Sequence, residues 1–588
     1  MGVSRSLKAA LQHLIKESKA LQKHQQQRRY YLESLDEFPT STQLQLLRQL
    51  LCLRSPEPPL PDRICENLQS IYAFLHSHRF LTHVDSLQPV KSVTSLKKQT
   101  QTNLILWQGD ITTLTGVAAI TNAANSQMLG CFQPSHRCID NVIHSWAGPG
   151  LRQECYEIMS DRTSELPAGD AITTRGHHLP VPYVIHTVGP QLRQGDKPTE
   201  TERRQLEGCY TSILREAELL TVAGSRKAIA LCCVSTGLFA FPPSEAAEIA
   251  VRTTTQWLEG RDSTITDVIF TTFTDADTSI YQDLLKGARS HDPVPISGPL
   301  GQSPSLQLAR SWLKSADAIV ISAGAGLSAS SGLDYTSTAL FAKHFPGFLK
   351  YDLTTLYSVF GFAGWPSEQD RWGYYFTHMN MIKSWPKSSV YGTLIAWLKS
   401  QAADVHVRTS NADGLFLANG WSEEKLSTPQ GTYAVLQCLA NCRPDATFPT
   451  MPYLDAATPF LDPVTQHLTS GNKIPLCEYC HGPMSICVRA GDWFNERPFA
   501  AGEQRWREFK RRNAGKQVVV LELGAGNSTP GVLKWPNENM VERSGGLTKL
   551  IRVGMGLDAV VSLELEEEGQ ATYIDGNIRE VVPALCLP

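Results

Sequence analysis

Residues 287–305 hold eleven Pro, Gly or Ser in nineteen positions, without the apolar periodicity a helix or strand needs. Such a stretch inside a chain reads as a flexible linker between parts that must each bury their own core. The chain has 588 residues, against roughly 100–200 for an ordinary domain, so several units are expected. The reading is a helical extension over 1–90, an α/β domain over 91–286, the linker, and a second α/β domain from Leu306 to the end. In the first α/β region, the short β-type runs Leu104–Trp107, Val117–Asn122, Tyr183–Val188, Ala228–Val234 and Val268–Thr272 alternate with helical stretches, the pattern of layered α/β folds.

Composition excludes several classes. Hydrophobic residues make up 42% of the chain, the level of a packed globular protein. The longest apolar runs, such as Ala318–Ile321 and Val518–Leu521, are far short of the ~20 residues that cross a bilayer, so no transmembrane segment is expected. With 54 basic against 57 acidic residues, nucleic acid is not an expected partner. Fourteen cysteines are too few for a disulfide scaffold and read as reduced thiols, free to bind metal or pack.

The first 90 residues read as packing helices. Leu7, Leu11, Leu14 and Leu21 fall near one face, Leu44, Leu47, Leu50 and Leu51 mark a second helix, and a third runs from Asp62 to His78 after the proline-rich break at 55–61. Two addresses are possible here. Met1-Gly2-Val3-Ser4-Arg5-Ser6 fits a myristoylation pattern, and 1–29 carries seven Lys/Arg with Glu17 as its single acid, as mitochondrial presequences do. The plain reading is a solvated helix and a cytoplasmic protein, with mitochondria as the alternative.

Chemistry starts at Gly109-Asp110-Ile111-Thr112, directly after a strand. Thr121-Asn122-Ala123-Ala124-Asn125, Pro167–Ala171, Val184–Pro190 and Val234-Ser235-Thr236-Gly237-Leu238-Phe239 follow in order. A strand-end carboxylate such as Asp110 can accept from an adenine amino group, and a loop of small residues lets backbone N–H groups approach a diphosphate. In order and spacing these motifs resemble the macrodomain family, which binds ADP-ribose. The resemblance implies adenine at Asp110 and Ile111, the distal ribose at Asn122 and Asn125, and the phosphates at Ser235, Thr236, Gly237, Leu238 and Phe239.

Where common macrodomains carry a short glycine run, this chain has Cys131-x4-His136-x-Cys138. Three soft or borderline ligands in eight residues suit a zinc ion with one position open, the arrangement of a catalytic site. The plainer alternative is two buried thiols and a surface histidine. The segment resembles the zinc-dependent macrodomain hydrolases, whose helical extension looks like residues 40–80. That resemblance implies Cys131, His136 and Cys138 as ligands, with Asn125 and Asp140 assisting catalysis. His144, His177, His178 and His186 read as satisfied polar groups.

In the second half, the buried-type run Ala318–Ser322 leads into Gly324-Ala325-Gly326, a dinucleotide signal that is weak alone. Asn411-Ala412-Asp413, Pro429-Gln430-Gly431, Cys438-x3-Cys442, Cys477-x2-Cys480 and Gly524-Ala525-Gly526-Asn527-Ser528 follow. Four cysteines in two close pairs make a closed tetrahedral set, so a structural zinc is expected in an insert spanning about 430–490. The series resembles the sirtuins, NAD-consuming enzymes with a Rossmann-like core and a small zinc-ribbon insert. It implies NAD contacts at Gly324, Ala325, Gly326, Asp334, Gly524, Asn527 and Ser528, with Asn411 and Asp413 nearest the nicotinamide.

Gln430 stands where deacylating sirtuins have a histidine general base. A carboxamide does not titrate near neutrality, and losing a general base typically costs about 10²–10⁴-fold. The combination resembles the class M sirtuins, which transfer ADP-ribose from NAD to a protein and, in bacteria, are encoded beside a zinc macrodomain and a lipoyl carrier similar to the glycine-cleavage H protein. The expectation is a bifunctional enzyme: the C-terminal half attaches mono-ADP-ribose to a protein, and the N-terminal half removes it. The alternatives are an NAD-dependent deacylase whose macrodomain handles O-acyl-ADP-ribose, and a non-catalytic ADP-ribose-binding scaffold.

Overall fold

The computed structural model describes residues 2–587 except 98–99, 137, 223, 287–302 and 528–529. The chain divides into two compact units, Met1–Ser303 and Pro304–Pro588. Most of the expected linker lies outside the described residues. Its last two positions are already helical, because the helix Pro304–Ser315 starts on a proline, which the first helical turn accepts without losing a hydrogen bond.

In the first unit, three main helices precede the sheet: Val3–Glu17, Thr40–Leu53 and Asp62–Ser77. Leu7, Ala10, Leu11 and Leu14 recur at helical spacing and are buried, so Val3–Glu17 is a packed helix with one solvated face. The sheet has seven strands: β1 (Pro89–Thr94), β2 (Gln101–Gln108), β3 (Ala119–Ala124), β4 (Ala171–Arg175), β5 (Tyr183–Val188), β6 (Ala228–Leu231) and β7 (Asp267–Thr272). Their order is β1-β2-β7-β6-β3-β5-β4. The five inner strands run parallel, and β1 and β4 flank them antiparallel. Strand β7 is buried at all six positions, as expected of a parallel strand covered on both faces. Sequence reasoning overlooked β1 and β4, which are half-exposed edge strands without a continuous apolar run. Because the inner strands are parallel, the segments after β2, β3, β5 and β6 all emerge at one end of the sheet.

The second unit centres on six parallel strands: β8 (Ala318–Ala323), β9 (Asp404–Thr409), β10 (Leu426–Ser427), β14 (Val518–Leu523), β15 (Thr548–Gly554) and β16 (Ala571–Asp575). The order is β10-β9-β8-β14-β15-β16. The chain moves outward from β8 in one direction and returns to β14 on the other side, so strand order reverses between β8 and β14. Open α/β sheets bind ligands at the carboxyl ends of the strands at such a switch point. Between β10 and β14 the chain builds a separate antiparallel sheet from β11 (Gly431–Cys438), β12 (Thr447–Pro449) and β13 (Met484–Val488).

One rung of the large sheet is charged. Ser322, Glu522 and Arg552 are in register on β8, β14 and β15, and Glu522 and Arg552 are almost entirely buried. Arg552 donates from Nε to Glu522 at 2.5 Å and from Nη1 to the Val560 carbonyl at 2.8 Å. Asn537 donates to Glu522 and Ser322, both at 2.8 Å. Arg552→Ala would strand the Glu522 carboxylate in the core. The variant is expected to lose about 3–5 kcal/mol of stability, read by urea unfolding followed by tryptophan fluorescence.

Candidate functional site

Asp110 follows β2 and turns the chain by accepting at Oδ1 from the Thr112 N–H at 2.9 Å and the Thr112 hydroxyl at 2.6 Å. Its Oδ2 accepts from Arg79 Nη2 at 3.0 Å. Arg79 is buried, also binds the Thr112 carbonyl, and lies 3.8 Å from the centre of the Trp146 ring. Residues 1–90 thus hold more than packing, because Arg79 fixes the orientation of Asp110. Sequence reasoning missed it, since a lone arginine after a helix carries no local signal. Ile111 is buried.

After β3, the Asn125 amide donates to the Gly130 carbonyl at 3.1 Å and its oxygen accepts from the Gln127 N–H at 3.1 Å, pinning the loop that leads to Cys131. Asn122 has no exposed surface. Its amide donates to Asp140 Oδ1 at 2.8 Å and to His186 Nδ1 at 3.0 Å. Asn122 therefore orients Asp140 from behind. Burial pushes the Asp140 carboxyl up to about 6, against the opposing pull of the Asn122 hydrogen bond.

His186 accepts at Nδ1, so its proton sits on Nε2 and is donated to the Thr174 hydroxyl at 2.9 Å. His144, Cys155 and His186 bring their ligand atoms within 4.8 Å of one another in the core. With Nε2 protonated toward Thr174, His186 offers no lone pair to an ion, so the trio lacks one of the three ligands an ion would need. His144 departs from its sequence reading as a satisfied group: neither of its ring nitrogens, both buried, has a hydrogen-bond partner among the described residues.

The cysteine loop is partly assembled. Cys131 Sγ lies 3.6 Å from His136 Nδ1, a separation that suits two ligands of one zinc. The three ligand atoms are not, however, among the groups of described residues that lie within 4.8 Å of one another. The N-terminal helices brace this loop: the Cys52 thiol donates to the Cys131 carbonyl, and Arg152 Nη1 holds the carbonyls of Leu51, Cys52 and Arg54.

Past β6, Ser235 adopts a left-handed φ of 65°. Gly189, at the end of β5, lies so close that a Cβ there would sit 2.0 Å from the Ser235 hydroxyl. Thr236 is half-buried, Gly237 and Leu238 are exposed, and the half-buried Phe239 accepts through its carbonyl from the Leu192 N–H at 2.8 Å. Asp110, Asn125 and 235–239 thus gather at one end of the sheet.

In the second unit the two glycine loops meet at the switch point. A Cβ on Gly324 would lie 2.6 Å from the Gly524 carbonyl oxygen, and one on Gly326 would lie 2.7 Å from the Gly524 Cα. Only glycines allow that approach. Gly324 caps the short helix Ala325–Ser330. Beside it, Asn411 donates to the Gly324 carbonyl at 2.9 Å and to Ser328 Oγ at 3.0 Å. Ser328 donates in turn to Asp413 Oδ2 at 2.5 Å, and Asp413 Oδ1 accepts from the Leu415 N–H at 3.0 Å. Burial pushes the Asp413 carboxyl above its ordinary range. Ser328, the link between the two predicted residues, was not singled out from the sequence.

Gln430 is half-buried at the start of β11. The Ala412 carbonyl accepts from the Tyr433 N–H at 3.0 Å, which ties that strand to the Asn411–Asp413 segment. Asp334 closes a local turn on the Thr336 N–H and hydroxyl. Asn527 sits beyond Gly524, and Ser528 lies outside the described residues.

Cys438, Cys442, Cys477 and Cys480 converge, with all four sulfurs within 4.8 Å. Cys438 and Cys480, and Cys442 and Cys477, are each 3.6 Å apart. Tetrahedral zinc with Zn–S of about 2.3 Å needs S···S separations near 3.8 Å, so this set fits the ion. Cys487 lies apart, packed with Phe494 and Phe499.

Residues 121–250 match the Macro domain. A protein of Fusarium oxysporum f. sp. cubense described as a probable bifunctional ADP-ribose hydrolase/ADP-ribosyltransferase is 54% identical over 95% of this chain and 93% of its own length. A protein-ADP-ribose hydrolase of Staphylococcus aureus (strain Mu50 / ATCC 700699) is 41% identical over 41% of this chain and 84% of its own. A solved Oceanobacillus iheyensis macrodomain with ADP is 33% identical, covers 33% of this chain and 95% of that chain, and has a TM-score of 0.28. A near-full-length relative of this similarity and the Macro match place the chain: it belongs to the family of bifunctional ADP-ribose hydrolase/ADP-ribosyltransferases that carry a Macro domain.

Proposed function

We propose that the two activities divide between the two units. The C-terminal unit takes NAD as substrate: the bond between nicotinamide and ribose C1′ breaks, nicotinamide leaves, and a nucleophilic side chain of an acceptor protein bonds to C1′ and gives up its proton. The N-terminal unit adds water to that linkage and returns the free acceptor and ADP-ribose. The observation that carries this division is the gathering of each unit's motifs at the carboxyl ends of its own parallel strands, with a glycine crevice in one and the Asp110–Asn125–Ser235 edge in the other.

In the hydrolase unit, Asp110 and Ile111 would face adenine, and 235–239 the phosphates. Asn125 shapes the loop beside the scissile bond, and Asp140, oriented by Asn122, directs the water. Cys131, His136 and Cys138 would hold a zinc ion there, and such an ion polarises the linkage and acidifies bound water when present. In the transferase unit, Gly324, Ala325, Gly326, Asp334, Gly524, Asn527 and Ser528 would line the NAD site. Asn411 and Asp413, locked through Ser328, orient the nicotinamide ribose. Gln430 supplies no base for deacylation. The four converging thiols would hold a structural zinc that stiffens the β11–β13 insert. A lipoylated carrier of the glycine-cleavage H type is the acceptor class this reading favours.

The test uses the full chain, labelled NAD and such a carrier. Cys131→Ala should leave more label on the carrier than wild type does, because removal is slowed while attachment continues. Equal labelling would overturn the assignment of removal to the N-terminal unit.

A further inference from the structure

The loop expected to meet the dinucleotide, Leu523–Leu533, contains no Lys or Arg, and neither does the facing stretch Ala323–Thr336. The first cation after the loop is Lys534, which opens the helix Lys534–Glu542. It does not reach for solvent as lysines usually do. Lys534 is 3% exposed, and its ammonium donates to Asn527 Oδ1 at 2.6 Å and to the Asp558 carbonyl at 2.7 Å. The Asn527 N–H donates to Asp558 Oδ1 at 3.0 Å. One buried ammonium thus ties the loop after β14 to the loop after β15, both at the carboxyl ends of their strands.

From these contacts, and resting on the reading of Asn527 as an NAD contact, we infer that Lys534 is a positioning residue for NAD: it fixes the side chain of Asn527 and supplies a buried positive charge beside that contact for a dianionic diphosphate. The ligand class is a dinucleotide carrying a diphosphate. A buried charged donor aimed at a neutral amide oxygen gives one of the stronger hydrogen bonds, and its loss frees Asn527 to swing.

The groups that face the ammonium are Arg552 from β15, Glu522 from β14, Glu538 from its own helix and Asp558 from the loop after β15. Burial and Arg552 lower the Lys534 ammonium to about 8, against the three carboxylates that raise it. The ammonium is therefore present below pH 8 and is lost as pH rises through 8. NAD affinity falls in the same interval, while the diphosphate stays ionised throughout.

The experiment measures initial rates of nicotinamide release by the full-length protein against NAD concentration, between pH 7 and pH 9. Lys534→Met should raise the KM for NAD by about 10-fold or more at pH 7, with kcat changed by less than about 3-fold. Lys534→Arg should recover most of that affinity. The wild-type KM should climb above pH 8, whereas that of Lys534→Arg should stay level, since a guanidinium keeps its charge. A merely structural lysine would produce no such split and no such pH difference. An unchanged KM in Lys534→Met, or a wild-type KM flat from pH 7 to pH 9, overturns the inference. If Lys534→Met does not fold, the wild-type and Lys534→Arg profiles decide it. Asn527→Ala separates the underlying reading: if its NAD binding by calorimetry equals wild type, the placement of NAD at this loop fails; if only Asn527→Ala weakens binding, Lys534 alone is wrongly assigned.

Discussion

Asp140→Ala should slow the release of ADP-ribose from a modified protein by about 10²–10⁴-fold, the usual penalty for losing a group that directs or activates water. Asp140 is 5% exposed and receives one of the two N–H groups of Asn122, the other being spent on His186. Removing the carboxylate leaves that N–H unpaired in the core and, on the proposed reading, leaves the water undirected. Nicotinamide release by the other unit should be unchanged. The check is a pair of rates on one preparation: ADP-ribose released from a labelled protein, and nicotinamide released from NAD.

The converse holds for Asp413→Asn, which should lower nicotinamide release by about 10²–10³-fold, the scale seen when one preorganised group of an electrostatic site is lost. The substitution preserves shape, so the loss reports on hydrogen-bond polarity. Asp413 now accepts from Ser328 and from the Leu415 N–H. An asparagine can keep the bond to Leu415 only by turning its NH₂ toward Ser328, whose oxygen already accepts from Asn411. The Asn411–Ser328–Asp413 chain then loses its fixed direction and, on the proposed reading, with it the alignment of the ribose. Hydrolysis of a pre-labelled protein should proceed at the wild-type rate. A loss of less than 10-fold would remove Asp413 from the group that positions the nicotinamide end.

What the sequence disclosed follows from how far apart the interacting residues are. The inner strands of the first sheet and β8 of the second were legible because a parallel strand covered on both faces is a short continuous apolar run, as in Asp267–Thr272 and Ala318–Ala323; β9 and β15 were not singled out from the sequence. The loops beyond them were legible because backbone close approach demands glycine, as at Gly324 and Gly524. The four thiols were legible by spacing alone. What stayed hidden depends on partners far along the chain: Arg79 on Asp110, Asn411 on Ser328, Arg552 on Glu522. No local pattern marks such pairs, and their chemistry exists only once the strands are aligned. Asn122 is the instructive intermediate. Its type and place were readable, but its hydrogen bonds to Asp140 and His186 were not, because both partners lie far along the chain.

The most direct test of the division of labour is mass spectrometry of a lipoylated carrier protein incubated with NAD and the Asp140→Ala chain, alongside an acetylated lysine peptide in the same tube. A carrier bearing a single ADP-ribose that wild-type protein strips off, with the peptide left acetylated, is the expected result. A deacetylated peptide beside an unmodified carrier would contradict it.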